Sequence, residues 1–215
     1  MEGVKTKGDR VVAVTVTFNR FSTLRNTIHA LESQTLPLWK IIIVDNHSNE
    51  ENRKEILALT EGKEHMEVLW MEDNLGGAGG FETGMCYARE QYAPDWYWIM
   101  DDDAYPRRDT LEKLLEHKKL ADLGCLAPLI WGVDWQEYQL YHHKEIKGFH
   151  TMDRAKFSRV EDMGEVEQID ADGFVGTLFP GRVVDEIGFP DGGLFIYGDD
   201  TEYTTRIRQK HRIYL

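Results

Sequence analysis

The chain has 215 residues, 41% of them hydrophobic and 29% charged, with a formal net charge of −13. That is the composition of one globular domain with a single sizeable core. The acidic balance excludes a nucleic-acid or anionic-membrane partner held by charge alone, and leaves room for a small anionic ligand where a metal cation mediates. Cys86 and Cys125 are too few for a disulfide framework and point to a reduced, cytoplasmic protein. The start, "MEGVKTKGDR", lacks the apolar core of a signal peptide. No apolar run approaches the roughly 18 residues that span a bilayer. Work at a membrane is therefore expected only peripherally, at the inner face of the plasma membrane, or through a partner.

The first predicted element is the β-branched run "VVAVTVTF" (11–18), a buried strand. A helix follows in "NRFSTLRNTIHALESQ", where Leu24, Ile28 and Leu31 recur at helical spacing and Ser22 is the expected N-cap. "KIIIVD" (40–45) is a second strand, followed by a helix through Ile56 and Leu59. "EVLW" (67–70) is a third strand, ending in the loop "NLGGAGGF". "WYWIM" (96–100) is a fourth. "DTLEKLLEHKKL" (109–120) is a helix with an Asp109/Glu112 capping box, and "GCLAPLIW" (124–131) a fifth strand. Strands alternating with helices predict an α/β fold: a mostly parallel, Rossmann-like sheet with helices on both faces.

Asp134 to Gln168 has no clear period and is expected to be a long excursion with short strands. "GFVGTLFP" (173–180) reads as a strand and "GRVVDEIG" (181–188) as a short helix. "LFIYGDDTEYTTRIRQKH" reads as a short strand, an acidic turn and a helix, and "RIYL" as the start of another strand.

Ligands of open α/β sheets bind at the carboxyl ends of the strands. Here those ends carry "TFNR" (17–20), "VDNHS" (44–48), "EDNLGG" (72–77) and "MDDDAYP" (100–106), all polar and two strongly acidic. Strand alternation predicts that Asp101 and Asp103 point together while Asp102 points away. Two carboxylates with oxygen donors suit a hard cation such as Mg2+ or Mn2+. A solvated acidic turn is the plainer alternative. "NLGGAGGFETG" is neither a dinucleotide fingerprint nor a P-loop. Its glycines allow either a close approach to a phosphate or a tight helix–sheet contact. Asp45 can accept hydrogen bonds from a ribose or base, or cap the following helix.

In "GDDTEY" (198–203), Asp199 and Glu202 fit a capping box. Asp200 is left over at a helix N-terminus, where an ionised carboxylate can accept a proton from an attacking hydroxyl. The adjacent histidines of "YHHK" (141–144) are assigned surface or packing roles. Trp131 and Trp135 follow a strand, where an aromatic ring is either core or a platform for a sugar.

The order "TFNR", "VDNHS", "NLGGAGGF", "MDDDAYP" and "YGDDTEYTTR" resembles the family 2 glycosyltransferases of the GT-A type, and within them the bacterial galactofuranosyl- and rhamnosyltransferase branch. The resemblance runs from Val11 to Leu215. It implies one catalytic domain over 1–215: a nucleotide-sugar half over about 10–131 and an acceptor half over about 132–215, truncated at its C-terminus. By resemblance, Asp101 and Asp103 hold Mn2+ or Mg2+ against the diphosphate of a UDP- or dTDP-linked sugar, and Asp102 faces the ribose or donor sugar. Thr17, Asn19, Arg20 and Asp45 match the nucleoside-binding segments. Asn74, Gly76, Gly77, Gly79 and Gly80 match the loop around the donor. Asp200 matches the general base of inverting enzymes, with Asp199, Glu202 and Arg206 in the same motif. The implied acceptor is a glycan or lipid-linked glycan of the cell surface.

Two departures stand out. The family's further metal-ligand histidine falls past Leu215, and His211, expected within the last helix, is a poor match for it. The motif's usual Trp is replaced by Tyr197-Gly198. The rival readings are a sugar nucleotidyltransferase, disfavoured by the absence of a glycine-rich loop after the first strand, and a non-catalytic nucleotide-sugar or metal-binding module.

Overall fold

Val11–Thr17 forms β1, buried along its whole length. Val12, Val14 and Val16 face one side of a central sheet, while Val11 and Ala13 face the other. The computed structural model describes residues 8–134, 136–146 and 154–215. After β1 come α1 (Phe21–Glu32), β2 (Lys40–Asp45), α2 (Glu50–Thr60), β3 (Met66–Trp70), α3 (Gly76–Tyr92), β4 (Trp96–Asp101), α4 (Thr110–Glu116) and β5 (Leu123–Leu126). The excursion holds four two-residue strands: β6 (Trp131–Gly132), β7 (Glu137–Tyr138), β8 (Lys144–Glu145) and β9 (Arg154–Ala155). The chain returns through β10 (Gln168–Ile169), β11 (Val175–Pro180), α5 (Gly181–Ile187), α6 (Asp199–Arg208) and β12 (Arg212–Tyr214).

The main sheet has the order β10-β12-β5-β11-β4-β1-β2-β3. Strands β4, β1, β2 and β3 run parallel, as does the β5–β12 pair. β11 inserts between β4 and β5, antiparallel to both. The two halves of the chain thus share one sheet. One face buries Val12, Val14, Val16, Ile42 and Val44 against Phe81, Met85 and Ala88 of α3 and Tyr203 and Ile207 of α6. The other buries Val11, Ala13, Ile41 and Ile43 against Leu24, Ile28 and Leu31 of α1 and Ile56 of α2. Each fully buried aliphatic side chain contributes about 1.5–3 kcal/mol.

Several local expectations are corrected. α1 starts at Phe21, so Ser22 lies inside it. No side chain caps it, and Asn52 Oδ1 accepts the Phe21 N–H at 3.0 Å. Neither capping box forms. Asp109 pairs with Lys113 at 2.8 Å, Glu112 accepts from Thr35 at 2.7 Å, and Glu202 turns to Arg206, because in each case a cation or hydroxyl competes for the carboxylate. α4 ends at Glu116 and β5 at Leu126, two residues before Pro128, which cannot donate to a ladder. Residues 195–197 form an exposed turn after a short 3₁₀ segment, Gly192–Leu194, rather than a strand. Trp135 and the first seven residues, including the start of the "MEGVKTKGDR" segment, lie outside the described residues.

Candidate active site

Parallel register brings the strand ends level. Thr17 pairs with Asp45, Asp45 with Trp70, and Val16 with Asp101. The sheet order reverses between β1 and β4, the place at the carboxyl edge where open α/β sheets take their ligands. Thr17, 2% exposed, crosses this point and donates from Oγ1 to Asp102 Oδ2 at 2.6 Å.

β4 ends at Asp101, so the expected alternation stops there and Asp102 and Asp103 belong to a turn. Arg20 grips both, with Nη1 3.2 Å from Asp102 Oδ1 and Nη2 2.6 Å from Asp103 Oδ2. The bond to Asp103 raises the Arg20 pKa. Asp102 is buried. Burial raises its carboxyl above the usual range, against the Thr17 hydrogen bond and Arg20.

Asp101 is exposed at the end of β4, yet protein crowds its carboxylate. Desolvation, then repulsion from Asp103, Asp102, Asp199 and Asp200, pushes its pKa up to about 7. Five carboxylates converge here against one guanidinium. Oxygen donors of this kind suit a hard divalent cation rather than a soft one. Among the described residues, no three or more His, Cys, Asp or Glu side chains are grouped so that they could hold a metal ion by themselves.

Asp45 is fully buried. Its Oδ2 accepts from Ser48 N at 3.2 Å and Arg53 Nε at 2.7 Å, while Oδ1 is buried without a partner. A buried acceptor left empty at the sheet's carboxyl edge is where a ligand N–H or O–H fits. Asn19, at φ 56°, donates from its N–H to Ser48 Oγ at 2.8 Å and accepts from Asn49 N at 2.8 Å, joining the first two strand-end loops.

Asn46, not singled out from the sequence, organises the glycine loop. Its Nδ2 donates to Asn74 Oδ1 and Gly76 O, and its Oδ1 accepts from Leu75 N, all within 2.8–2.9 Å. Asn74 Oδ1 also accepts from Gly76 N at 2.9 Å. Gly76 sits at φ +72°, and a Cβ there would lie 2.0 Å from Phe195 O. A Cβ on Gly80 would lie 2.5 Å from Val16 Cγ1, so that glycine serves the helix–sheet contact. Gly79 is crowded by Leu75, whereas Gly77 faces open space and is the position that leaves backbone approachable.

Asp199 and Asp200 open α6 and lie near enough to Asp101 to repel its carboxylate. Burial, then Asp200, raises the Asp199 pKa. Asp200 is half-buried, its Oδ1 accepting from Thr201 N. Arg206 braces the helix, donating to Glu202 through Nε and Nη2 at 2.8 Å each, to Ile187 O at 3.0 Å and to Phe189 O at 2.9 Å. His211 lies past the end of α6, not within it, with Nε2 2.9 Å from Glu186 Oε2.

Residues 12–179 match the family described as Glycosyl transferase family 2. The chain belongs to that family. It is 30% identical over 200 residues to the galactofuranosyltransferase GlfT1 of Mycolicibacterium smegmatis, covering 92% of this chain and 65% of that one. It is 32% identical over 201 residues to GlfT1 of Mycobacterium tuberculosis H37Rv, covering 93% and 64%. The chain thus spans slightly under two thirds of these relatives. Among solved structures it resembles the mannosyltransferase PcManGT of Pyrobaculum calidifontis, in complex with GDP-Man and Mn2+, with a TM-score of 0.69 at 15% identity, over 97% of this chain and 55% of that one. The fold is of the GT-A type.

Besides Asn46, sequence reading missed a side chain near Asp200. His142, assigned a surface or packing role, is half-buried beside Asp200: a Cβ on Gly173 would lie 2.8 Å from His142 Nδ1 and 3.4 Å from Asp200 Oδ2. His143 does pack, fully buried, with Nδ1 2.8 Å from Asp172 Oδ1. Burial, and to a lesser degree its ring partner, raises the Asp172 pKa and lowers it respectively, for a net upward shift. No described helix is long and apolar enough to cross a membrane.

Proposed function

We propose that the protein is the catalytic domain of an inverting, metal-dependent glycosyltransferase that moves galactofuranose from a nucleoside-diphosphate donor to a glycan or lipid-linked glycan. The observation that carries the reading is the meeting of Asp101 and Asp103 with Asp200 at the sheet's carboxyl edge. The galactofuranosyltransferase relatives support the sugar, with rhamnose as the alternative. Residues 10–131 supply the donor side and 132–215 the acceptor side.

The nucleoside lies over Thr17, Asn19 and Asp45, where the vacant Asp45 Oδ1 takes a hydrogen bond from the base or ribose. Asn74 and the open Gly77 border the donor, and Asp102 is fixed by Thr17 and Arg20. Asp101 and Asp103 are the residues that would hold Mn2+ or Mg2+, whose charge would offset that of the departing diphosphate. Asp200 takes the proton of the acceptor hydroxyl. The hydroxyl oxygen bonds to the anomeric carbon from the face opposite the diphosphate. The carbon–oxygen bond to the diphosphate breaks, and the nucleoside diphosphate leaves with the electron pair. Membership of family 2 favours this reading over a sugar nucleotidyltransferase, and Asp200 near Asp101 favours it over a module without turnover.

The test is calorimetric titration of UDP and dTDP, each with and without Mn2+, into wild type, Asp103→Ala and Asp200→Ala. Nucleotide binding should need Mn2+, disappear in Asp103→Ala and persist in Asp200→Ala, which loses sugar transfer. Metal-independent binding of equal strength in Asp103→Ala would contradict the metal assignment.

A further inference from the structure

We propose that Tyr141 and His142 form the acceptor-sugar subsite beside Asp200, with His142 hydrogen-bonding a sugar hydroxyl and Tyr141 covering the ring. The inference rests on the glycosyltransferase reading above and extends it to the acceptor.

The geometry starts at Gly173. A Cβ there would lie 2.8 Å from His142 Nδ1 and 3.4 Å from Asp200 Oδ2, so the bare glycine lets the imidazole and the carboxylate close on the same backbone and sit side by side. The turn that carries His142 is stitched in place from three sides. The buried His143–Asp172 pair anchors it beneath. Lys144 N donates to Ala171 O at 2.9 Å, and Lys144 Nζ donates to Thr201 Oγ1 at 2.6 Å. Thr204 Oγ1 donates to Asp200 O at 2.7 Å and accepts from Asp172 N at 3.2 Å, tying the first turn of α6 to the Asp172–Gly173 segment. His142 is thus held where it is, and its ring makes no hydrogen bond to any described residue.

The chemistry of this corner suits a neutral, hydroxyl-bearing ring. Burial, then neighbouring His143, lowers the His142 pKa to about 4, with Asp200 opposing. The ring is therefore uncharged near neutrality and offers one donor and one acceptor, the complement of a hydroxyl. Tyr141 is 54% exposed and lies against His142, ring centroids 4.3 Å apart and tilted by 33°. Its hydroxyl donates to Gln139 Oε1 at 3.2 Å, and the Gln139 side chain rests on Gly132 of the β6–β7 hairpin. That hairpin presents Trp131 and Tyr138, both about half exposed and edge-to-face at 4.9 Å. Aromatic rings thus follow one another from His142 through Tyr141 to the hairpin, surface that a chain of sugar units needs and a phosphate does not.

The probe is octyl β-D-galactofuranoside, titrated calorimetrically into protein saturated with UDP and Mn2+. Wild type should bind it. His142→Ala should weaken that binding by about tenfold, the size of one lost hydrogen bond, while UDP affinity changes by less than about twofold. His142→Gln, which keeps a donor and an acceptor, should recover most of the loss. Gly173→Ala pushes a methyl against His142 Nδ1 without removing the ring and should also weaken the probe by about tenfold. Equal probe affinity in wild type, His142→Ala and Gly173→Ala overturns the subsite, as does failure of the probe to bind wild type that binds UDP. Failure of UDP itself to bind overturns the donor reading, and this inference with it.

Discussion

Thr17 Oγ1 donates a 2.6 Å hydrogen bond to the buried Asp102 Oδ2, joining the end of β1 to the turn after β4 at the point where the sheet order reverses. The bond opposes the desolvation that raises the Asp102 pKa. Thr17→Val keeps the shape and removes the donor. It should cost about 1–2 kcal/mol, the price of a buried acceptor that keeps only Arg20. Thr17→Ser should recover most of it. Urea unfolding measures the difference, and a loss under roughly 0.5 kcal/mol would mean that Arg20 alone holds Asp102.

Gly80 and Gly77 divide the two roles open to the glycine loop. Gly80→Ala puts a methyl 2.5 Å from Val16 Cγ1 and should destabilise by about 1–3 kcal/mol. Adding Val16→Ala should restore part of that. Gly77→Ala meets nothing within 4 Å and should leave stability equal or raised by up to about 1 kcal/mol, since Ala favours the helix. If Gly77 borders the donor, Gly77→Ala should still weaken UDP. Paired unfolding and UDP titrations read both effects, and unchanged UDP affinity removes Gly77 from the donor site.

The first half of the molecule was legible because hydrophobic runs ending in "TFNR", "VDNHS" and "MDDD" place both strand and strand end. Parallel register then aligns Thr17, Asp45 and Asp101 without further information. The seat of β11 between β4 and β5 was not legible, since antiparallel pairing across some eighty residues leaves no local trace. The caps failed for a local reason: Asp109 and Glu202 found Lys113 and Arg206 one helical turn away. His142 was missed because nothing local in "YHHK" separates a ring that packs from one that borders a site. The residue ends a 3₁₀ turn, Leu140–His142, that aims it at Asp200 while His143 is buried.

Asp101 predicts a pH dependence with a definite sign. Its folded pKa of about 7 lies above the ordinary 3.8, so between those values the folded protein holds a proton that the unfolded chain has lost. Stability from this group is therefore fully present below about pH 4 and falls as pH rises to about 7. In metal-free protein, wild type minus Asp101→Asn unfolding free energy should decline across that window and flatten above it. Mn2+ should lift wild type most at and above pH 7, where the carboxylate is free to bind, and its binding below pH 7 should release a proton. Unfolding series from pH 4 to 8, with and without Mn2+, test this; a flat difference places the Asp101 pKa in the ordinary range.

Arg206 shows how α6 is aimed. Its guanidinium joins Glu202 to the carbonyls of Ile187 and Phe189, so the helix that opens with Asp200 is fastened to the end of α5. Arg206→Lys cannot reproduce the fork and should cost about 1–3 kcal/mol. It should also lower transfer, because Asp200 moves with its helix, while leaving UDP binding intact. Glu202→Gln keeps an acceptor and the side-chain shape and should cost less in stability. Comparing the two separates positioning from contact. If Glu202 acts only through Arg206, each variant's loss of transfer follows its loss of stability. If Glu202→Gln loses transfer while remaining the more stable of the two, its carboxylate meets the acceptor directly.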